Sequence, residues 1–217
     1  MSTQPAQGRR YAGKTPAARR SDQRGRILLA ARDVFAKRGF ANAALDEIVA
    51  RARVSRSTFY ALFENKEQCL LAVYSLGLER FGVKIAAAAV RSAELGLTPP
   101  EILREEVRAT LAAYAGDPAM ARIVLIEIVG ASPEAERLQA RARNVAAKII
   151  QARLEEYAYW RERPEEHRRV ASLAAMAAIG ESLSDLVAGG RLDRWEELVE
   201  PLSEFLVRAL VDPADLG

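Results

Sequence analysis

The chain has 217 residues, half of them apolar and 28% charged, with 13 Gly and 9 Pro. It can bury the core of one or two small domains, and low-complexity and collagen-like classes are excluded. A single Cys and a single His exclude disulfide frameworks and Cys/His zinc sites, because structural zinc takes about four N or S ligands. No metal and no cofactor is expected.

His167 lies in the polar run from Arg163 to Arg169 and reads as a surface histidine rather than a triad member. Cys69, between Gln68 and Leu70 in an apolar helical pattern, reads as a buried inert thiol rather than a redox sensor. The apolar stretch from Val170 to Gly180 is far short of the ~20 residues of a membrane span. The first residues are polar and basic rather than leader-like. The expectation is a soluble, cytoplasmic protein with no membrane partner.

The net charge of +3 conceals an asymmetry. Residues 1–66 carry 14 Lys and Arg against 5 Asp and Glu, a balance of +9, whereas the remainder carries 18 against 24, a balance of −6. Such a split points to an N-terminal module that binds a polyanion.

In chain order, residues 1–20 contain Arg9, Arg10, Lys14, Arg19 and Arg20 with almost nothing apolar, which predicts a disordered basic arm. A first helix is predicted from Ser21, with Ser21 or Asp22 as its cap. Ile27, Ala31, Val34 and Phe35 form its apolar stripe and Gly39 its stop. A short helix follows from about Ala44 to Ala52, with Leu45, Ile48, Val49 and Ala52 inward. After Arg53-Val54 a second opens behind Ser55 as N-cap and runs from Arg56 to Phe63, with Phe59 and Phe63 in the core and Ser57, Thr58 and Tyr60 outward. Two short helices joined by a tight turn make a helix-turn-helix.

Beyond it, a long helix runs from about Lys66 to Leu95 and stops at Gly96. Thr98-Pro99-Pro100 opens the next, which Gly116 stops. Asp117-Pro118 starts another, reaching Gly130 through the run from Ile123 to Val129. Ser132-Pro133 opens a helix to about Arg161, Pro164 one that ends at Gly189-Gly190, and Asp193 the last. No segment alternates with period two, so the chain is predicted to be all-α with about nine helices. The organisation expected is a basic arm over 1–20, a helix-turn-helix DNA-binding domain over 21–66, and a helical ligand-binding and dimerisation domain over 67–217.

The stretch from Arg26, RILLAARDVFAKRGFANAALDEIVARARVSRSTFYALFENKEQCLLAVY, resembles the TetR family of transcriptional regulators. The resemblance rests on Phe35 and Gly39-Phe40, Ile48, Val54-Ser55, Thr58-Phe59-Tyr60, Phe63 and Asn65-Lys66-Glu67, and covers about a quarter of the chain. It implies a helix-turn-helix that reads operator DNA, with Tyr60 and Lys66 at positions that grip phosphates. Three departures stand out. Ala43-Ala44 replaces the usual Thr-Thr, leaving Asn42 as the nearest substitute cap. Arg53 replaces the turn glycine, so a non-glycine residue must hold a left-handed conformation or the turn must differ, and its guanidinium is free for a phosphate. Leu62 replaces the frequent His or Tyr, so no contact is assigned there.

The physical reading of the same residues agrees. A helix of this length fits the major groove, and Arg56 on its N-terminal half can bond O6 and N7 of one guanine. Ser55, Ser57 and Thr58 are short hydroxyls suited to phosphates or base edges. The arm adds non-specific affinity or follows the minor groove.

In the resembled family the later helices form a ligand-binding core and a two-fold dimer. Small residues Ala171, Ala174, Ala175, Ala178, Gly180 and Ser182, and the apolar face of Trp195, Leu202 and Phe205, suit a homodimer on a pseudo-palindrome with half-sites ~34 Å apart. Tyr74, Phe81, Tyr114, Met120, Tyr157, Trp160 and Met176 are the aromatic and adaptable candidates for lining an effector pocket. Glu127, inside the run from Ile123 to Val129, needs a partner for its carboxylate, either an Arg of this chain or a cationic or hydroxylated ligand. The expected function is a homodimeric repressor, not an enzyme, released from double-stranded operator DNA by a small-molecule effector. The alternative is a helical small-molecule-binding protein with a vestigial helix-turn-helix.

Overall fold

The structure, a computed structural model, describes residues 15–155 and 157–211. The expected arm residues Arg9, Arg10 and Lys14 lie outside them. Helix α1 (Pro16–Arg38) starts five residues before Ser21. Thr15 caps it by accepting the Ala18 N–H at 3.2 Å, with Pro16 in the first turn, a start signal the charge pattern concealed. Arg19 and Arg20 are therefore helical, and Ser21 and Asp22 lie inside α1 rather than capping it. The helix ends at Gly39, whose φ of +78° turns the chain toward α2 (Leu45–Ala52).

No side chain caps α2, and Asn42, expected to do so, instead donates to the Arg38 carbonyl at 3.4 Å. Helix α3 (Arg56–Tyr60) is shorter than expected because the chain turns at Ala61 and Leu62 before reaching Phe63. Helix α4 (Lys66–Glu94) runs past both halves of the molecule, and Gly96 at φ +63° follows it. Helix α5 (Pro99–Ala115) opens with Glu101 accepting both the N–H and the hydroxyl of Thr98.

Asp117 caps α6 (Pro118–Arg122), which passes into a π turn over Ile123–Glu127 rather than continuing as an α-helix. A run of four apolar residues, Ile123 to Ile126, satisfies either winding, so periodicity could not separate them. Helix α7 (Pro133–Leu154) stops well before Arg161, and a separate turn, α8 (Ala158–Arg161), follows. Helix α9 (Glu165–Ala188) ends at Gly189-Gly190 as expected. The last segment opens as a 3-10 turn over Leu192–Leu198, broken at Arg194, before α10 (Val199–Leu210). The described residues thus hold ten α-helices where about nine were expected, and no strand.

One connected core joins the two halves. Ile27, Phe35, Ile48 and Phe59 from α1–α3 meet Leu70 and Val73 of α4, and Leu111, Met120, Ile123, Leu183 and Leu206 continue it. Cys69 is fully buried there, and burial pushes its thiol up to about 12, as an inert core residue requires. Helix α9 is long and apolar enough to cross a membrane by length and composition, whereas the stretch from Val170 to Gly180 taken alone is too short. Yet it packs along α7, α10 and the π turn, and it carries Glu181 and Asp185.

Candidate nucleic-acid interface

The turn between α2 and α3 closes through Arg53, at φ 52° and ψ 51° the sole non-glycine residue with positive φ among those described. The sequence expectation of a left-handed non-glycine residue is met. Its N–H donates to the Ala50 carbonyl at 3.1 Å, and the Val54 N–H to that of Val49 at 3.0 Å. Its side chain remains exposed, with no acidic partner among the described residues.

Ser55 caps α3 as expected, accepting the Thr58 N–H at 3.1 Å. Its hydroxyl also lies 2.8 Å from that of Ser57 and 2.9 Å from that of Thr58. Ser55 and Thr58 are thus engaged in holding the helix start, while Ser57 is outermost. Phe59 and Phe63 are buried as expected, with rings 5.4 Å apart. Because they point inward, the other side of α3 presents Arg56, Ser57 and the 56%-exposed Tyr60. Helix α1 braces this unit, with Arg20 donating to the Ala61 carbonyl at 2.9 Å and Arg26 to that of Arg53 at 3.4 Å.

Arg56 does not stand alone. Its Nε donates to Asp46 Oδ1 at 2.6 Å and its Nη2 to Oδ2 at 2.7 Å, a two-pronged contact from α3 to the first turn of α2. Sequence reading missed Asp46, since nothing in a ten-residue spacing across a turn marks a side-chain pair.

Lys66, expected at a phosphate, is turned toward the chain itself: its Nζ donates to the carbonyls of Phe40 at 2.8 Å, Ala41 at 3.3 Å and Ala43 at 3.0 Å, and lies 4.8 Å from the centre of the Phe40 ring. An ammonium has three N–H donors, so the chain itself accounts for all of them.

Glu127 has the first of its two expected partners, an Arg of this chain: Oε1 accepts from Arg122 Nε at 2.9 Å, and Oε2 accepts from the Phe40 N–H at 2.7 Å. The π turn places this carboxylate against the end of α1. Nearby, Arg32 of α1 reaches Asp117 at 3.0 Å, and Asp33 is held by Arg32 and Arg51.

Of the other pocket candidates, the structure brings Phe81 and Tyr114 together, with ring centres 4.1 Å apart. Burial pushes the Tyr114 hydroxyl up to about 12 and raises that of Tyr74, so both phenols stay protonated. Met120 is fully buried and packs against Gly77, where an added Cβ would come within 2.8 Å of its sulfur, so it fills space instead of lining it. Trp160 is pinned elsewhere, its Nε1 donating to the Leu210 carbonyl at 2.6 Å. Tyr157 stands just before α8, and Met176 lies half-buried on α9.

Comparison with known proteins agrees with this architecture. A family model described as bacterial regulatory proteins, tetR family, matches residues 27–73. The HTH-type transcriptional activator FasR of Mycolicibacterium smegmatis is 42% identical over 69 residues, which are 32% of this chain and 30% of that protein, so the match spans under a third of that relative's length.

Among solved structures, the fatty acid degradation regulator FadR from Bacillus halodurans superposes with a TM-score of 0.70 at 23% identity, covering 90% of this chain and 96% of that one. FadR from Bacillus subtilis, solved in complex with stearoyl-CoA, gives 0.66 at 21% identity, covering 82% and 97%. A TetR-like transcriptional regulator from Rhodococcus sp. RHA1 gives 0.59 at 25% identity, covering 88% and 96%. The helix-turn-helix over residues 27–73 is thus matched in sequence by the model of the tetR family of bacterial regulatory proteins, and the helices of the whole chain are matched in fold by these solved structures.

Proposed function

We propose that the protein is a cytoplasmic, homodimeric transcriptional repressor that binds a pseudo-palindromic operator and leaves it when a small molecule binds the helical core. The observation that carries this reading is the capped, outward-facing α3: Ser55 fixes its start, Phe59 anchors its inner side, and Arg56, Ser57 and Tyr60 remain exposed. Arg56 reads guanine, while Arg53, Ser57 and Tyr60 serve the backbone or neighbouring base edges. Ser55 and Thr58 contribute by fixing the helix start.

Support for the dimer comes from α9 and α10. Val170 and Phe205 are both 55% exposed, and Ala174, Ala177 and Pro201 lie bare beside them on the same helices. Large exposed apolar side chains on two helices that pack together suit cover by a partner.

For the effector, the pair Phe81 and Tyr114, with Tyr74 near, offers an apolar wall and two protonated phenols. The names of the FadR neighbours add a chemical class, a fatty acyl thioester, although their identities of 23% and 21% carry only the fold. Stearoyl-CoA is therefore the first effector to try.

The test is electrophoretic shift and footprinting on the DNA upstream of the protein's own gene, with Arg56→Ala in parallel. A protected pseudo-palindrome that Arg56→Ala relaxes, and that an acyl-CoA releases, supports the reading. Binding no tighter than to random DNA would favour the vestigial helix-turn-helix instead.

A further inference from the structure

The face that α3 presents is basic by composition, yet an acidic side chain stands on it. Asp46 is 68% exposed and pairs with Arg56, itself 62% exposed. An ion pair so open to solvent adds little to stability, since water screens it and two side chains must be ordered to form it. A carboxylate close to phosphates also opposes DNA binding through repulsion. The contact therefore calls for a reason other than holding the fold together.

Its geometry supplies one. A guanidinium carries five N–H groups in one plane. Asp46 takes the side edge, with Nε on Oδ1 and Nη2 on Oδ2 at 2.6 and 2.7 Å. The remaining end edge, with hydrogens on Nη1 and Nη2, is a parallel pair of donors matched to O6 and N7 of guanine. A free arginine has several rotatable bonds, and fixing them on binding costs entropy. Here α2 has already fixed them.

We infer that Asp46 is a positioning residue for base recognition, holding Arg56 so that its end edge is presented to a guanine before DNA arrives. This rests on the DNA-binding reading above. It also assigns opposite effects to one side chain, because Asp46 sharpens the choice of base while weakening attraction to DNA in general.

The experiment selects binding sites from a randomised duplex library with the full-length wild-type protein, Asp46→Ala, Arg56→Ala and the double variant. Library sequencing is accompanied by affinities for random DNA and by thermal melts. Wild type is expected to enrich a motif containing guanine. Asp46→Ala should keep the rest of the motif, lose about tenfold of the guanine preference, within the range of one good base contact, and bind random DNA more tightly with an unchanged melt. In the Arg56→Ala background, removing Asp46 should leave the base preference unaltered, because the two residues act as a unit.

A guanine preference that Asp46→Ala leaves intact or sharpens overturns the inference, as does an equal loss in the Arg56→Ala background, while the DNA-binding reading stands. If wild type enriches no motif, the reading of function falls and the inference falls with it.

Discussion

The carboxylate of Glu127 accepts the backbone N–H of Phe40 at 2.7 Å, tying the π turn of the helical core to the turn that follows α1. The positive φ of Gly39 shapes that turn, and a Cβ on it would lie 3.4 Å from the same carboxylate oxygen. Lys66 holds the opposite side of the same peptide segment through the Phe40 carbonyl. The connection between α1 and α2 is thus gripped from the core by an anion and from α4 by a cation.

Glu127→Ala removes the acceptor of a partly buried N–H, and the expected loss is about 1–3 kcal/mol of stability. Glu127→Gln should lose less, because its amide oxygen can still accept from Phe40 while the pairing with Arg122 weakens. Denaturant titrations of the two variants check the order. If both match wild type, the contact does not hold the two halves together.

Lys66→Met is expected to lower stability by about 1–3 kcal/mol through three carbonyls left without their donor. The salt dependence of DNA binding should hardly change, whereas loss of a phosphate contact would reduce the slope by about one. Measuring affinity across a series of salt concentrations separates the two roles, and a clear drop in slope would return Lys66 to the DNA.

These contacts also mark how far the sequence could be read. Ser55 as a cap, Arg53 in the left-handed region, and the stops at Gly96 and Gly189-Gly190 were legible because each is settled by residues a few positions apart. The inward faces of α1 and α3 were legible through period. Lys66 with Phe40, Arg56 with Asp46 and Glu127 with Phe40 were not, since a side chain's choice between solvent, phosphate and a distant carbonyl depends on packing that no local pattern encodes. The π turn escaped because an unbroken apolar run carries no phase.

Arg53 offers a case where stability and binding should move in opposite directions. A non-glycine residue in the left-handed region costs roughly 1–2 kcal/mol, and glycine relieves this at an entropic cost of about 0.5–1 kcal/mol. Arg53→Gly is thus expected to gain up to about 1 kcal/mol in stability while DNA affinity falls and the salt slope drops by about one. A thermal melt and a salt series on one preparation show both. Unchanged affinity would remove Arg53 from the interface.

Asp33 connects α1 to α2 through Arg51, and its neighbour Arg32 reaches α6. Burial pushes the Asp33 carboxyl up, but hydrogen bonds and charge from Arg32 and Arg51 outweigh it and hold the group below its ordinary value of 3.8. With the folded value below the unfolded one, its contribution is fully present above that ordinary value and is lost as pH falls through the folded value. The melting temperature of wild type should therefore drop more steeply than that of Asp33→Asn once pH goes below about 4. Asp33→Asn should also start lower at neutral pH. Parallel acid curves would mean the ion pairs are not coupled to folding.

Two glycines in α4 should respond with opposite sign to the same substitution. At Gly77 an added Cβ would meet Val124 Cγ2 at 2.7 Å and Met120 Cγ at 2.9 Å, so α4 lies too close to α6 and the π turn to admit a methyl group. Gly77→Ala should cost about 1–3 kcal/mol through overpacking. At Gly82 nothing lies within 4 Å of the same position, so Gly82→Ala only gains helix propensity, about 1 kcal/mol in a helix interior. Chemical denaturation of both variants gives the comparison. Because Gly77 sits where α4 meets the segment bearing Glu127, its variant should also shift the effector concentration needed for release from DNA, whereas Gly82→Ala should not. Equal release curves would show that the spacing between α4 and α6 matters for stability alone.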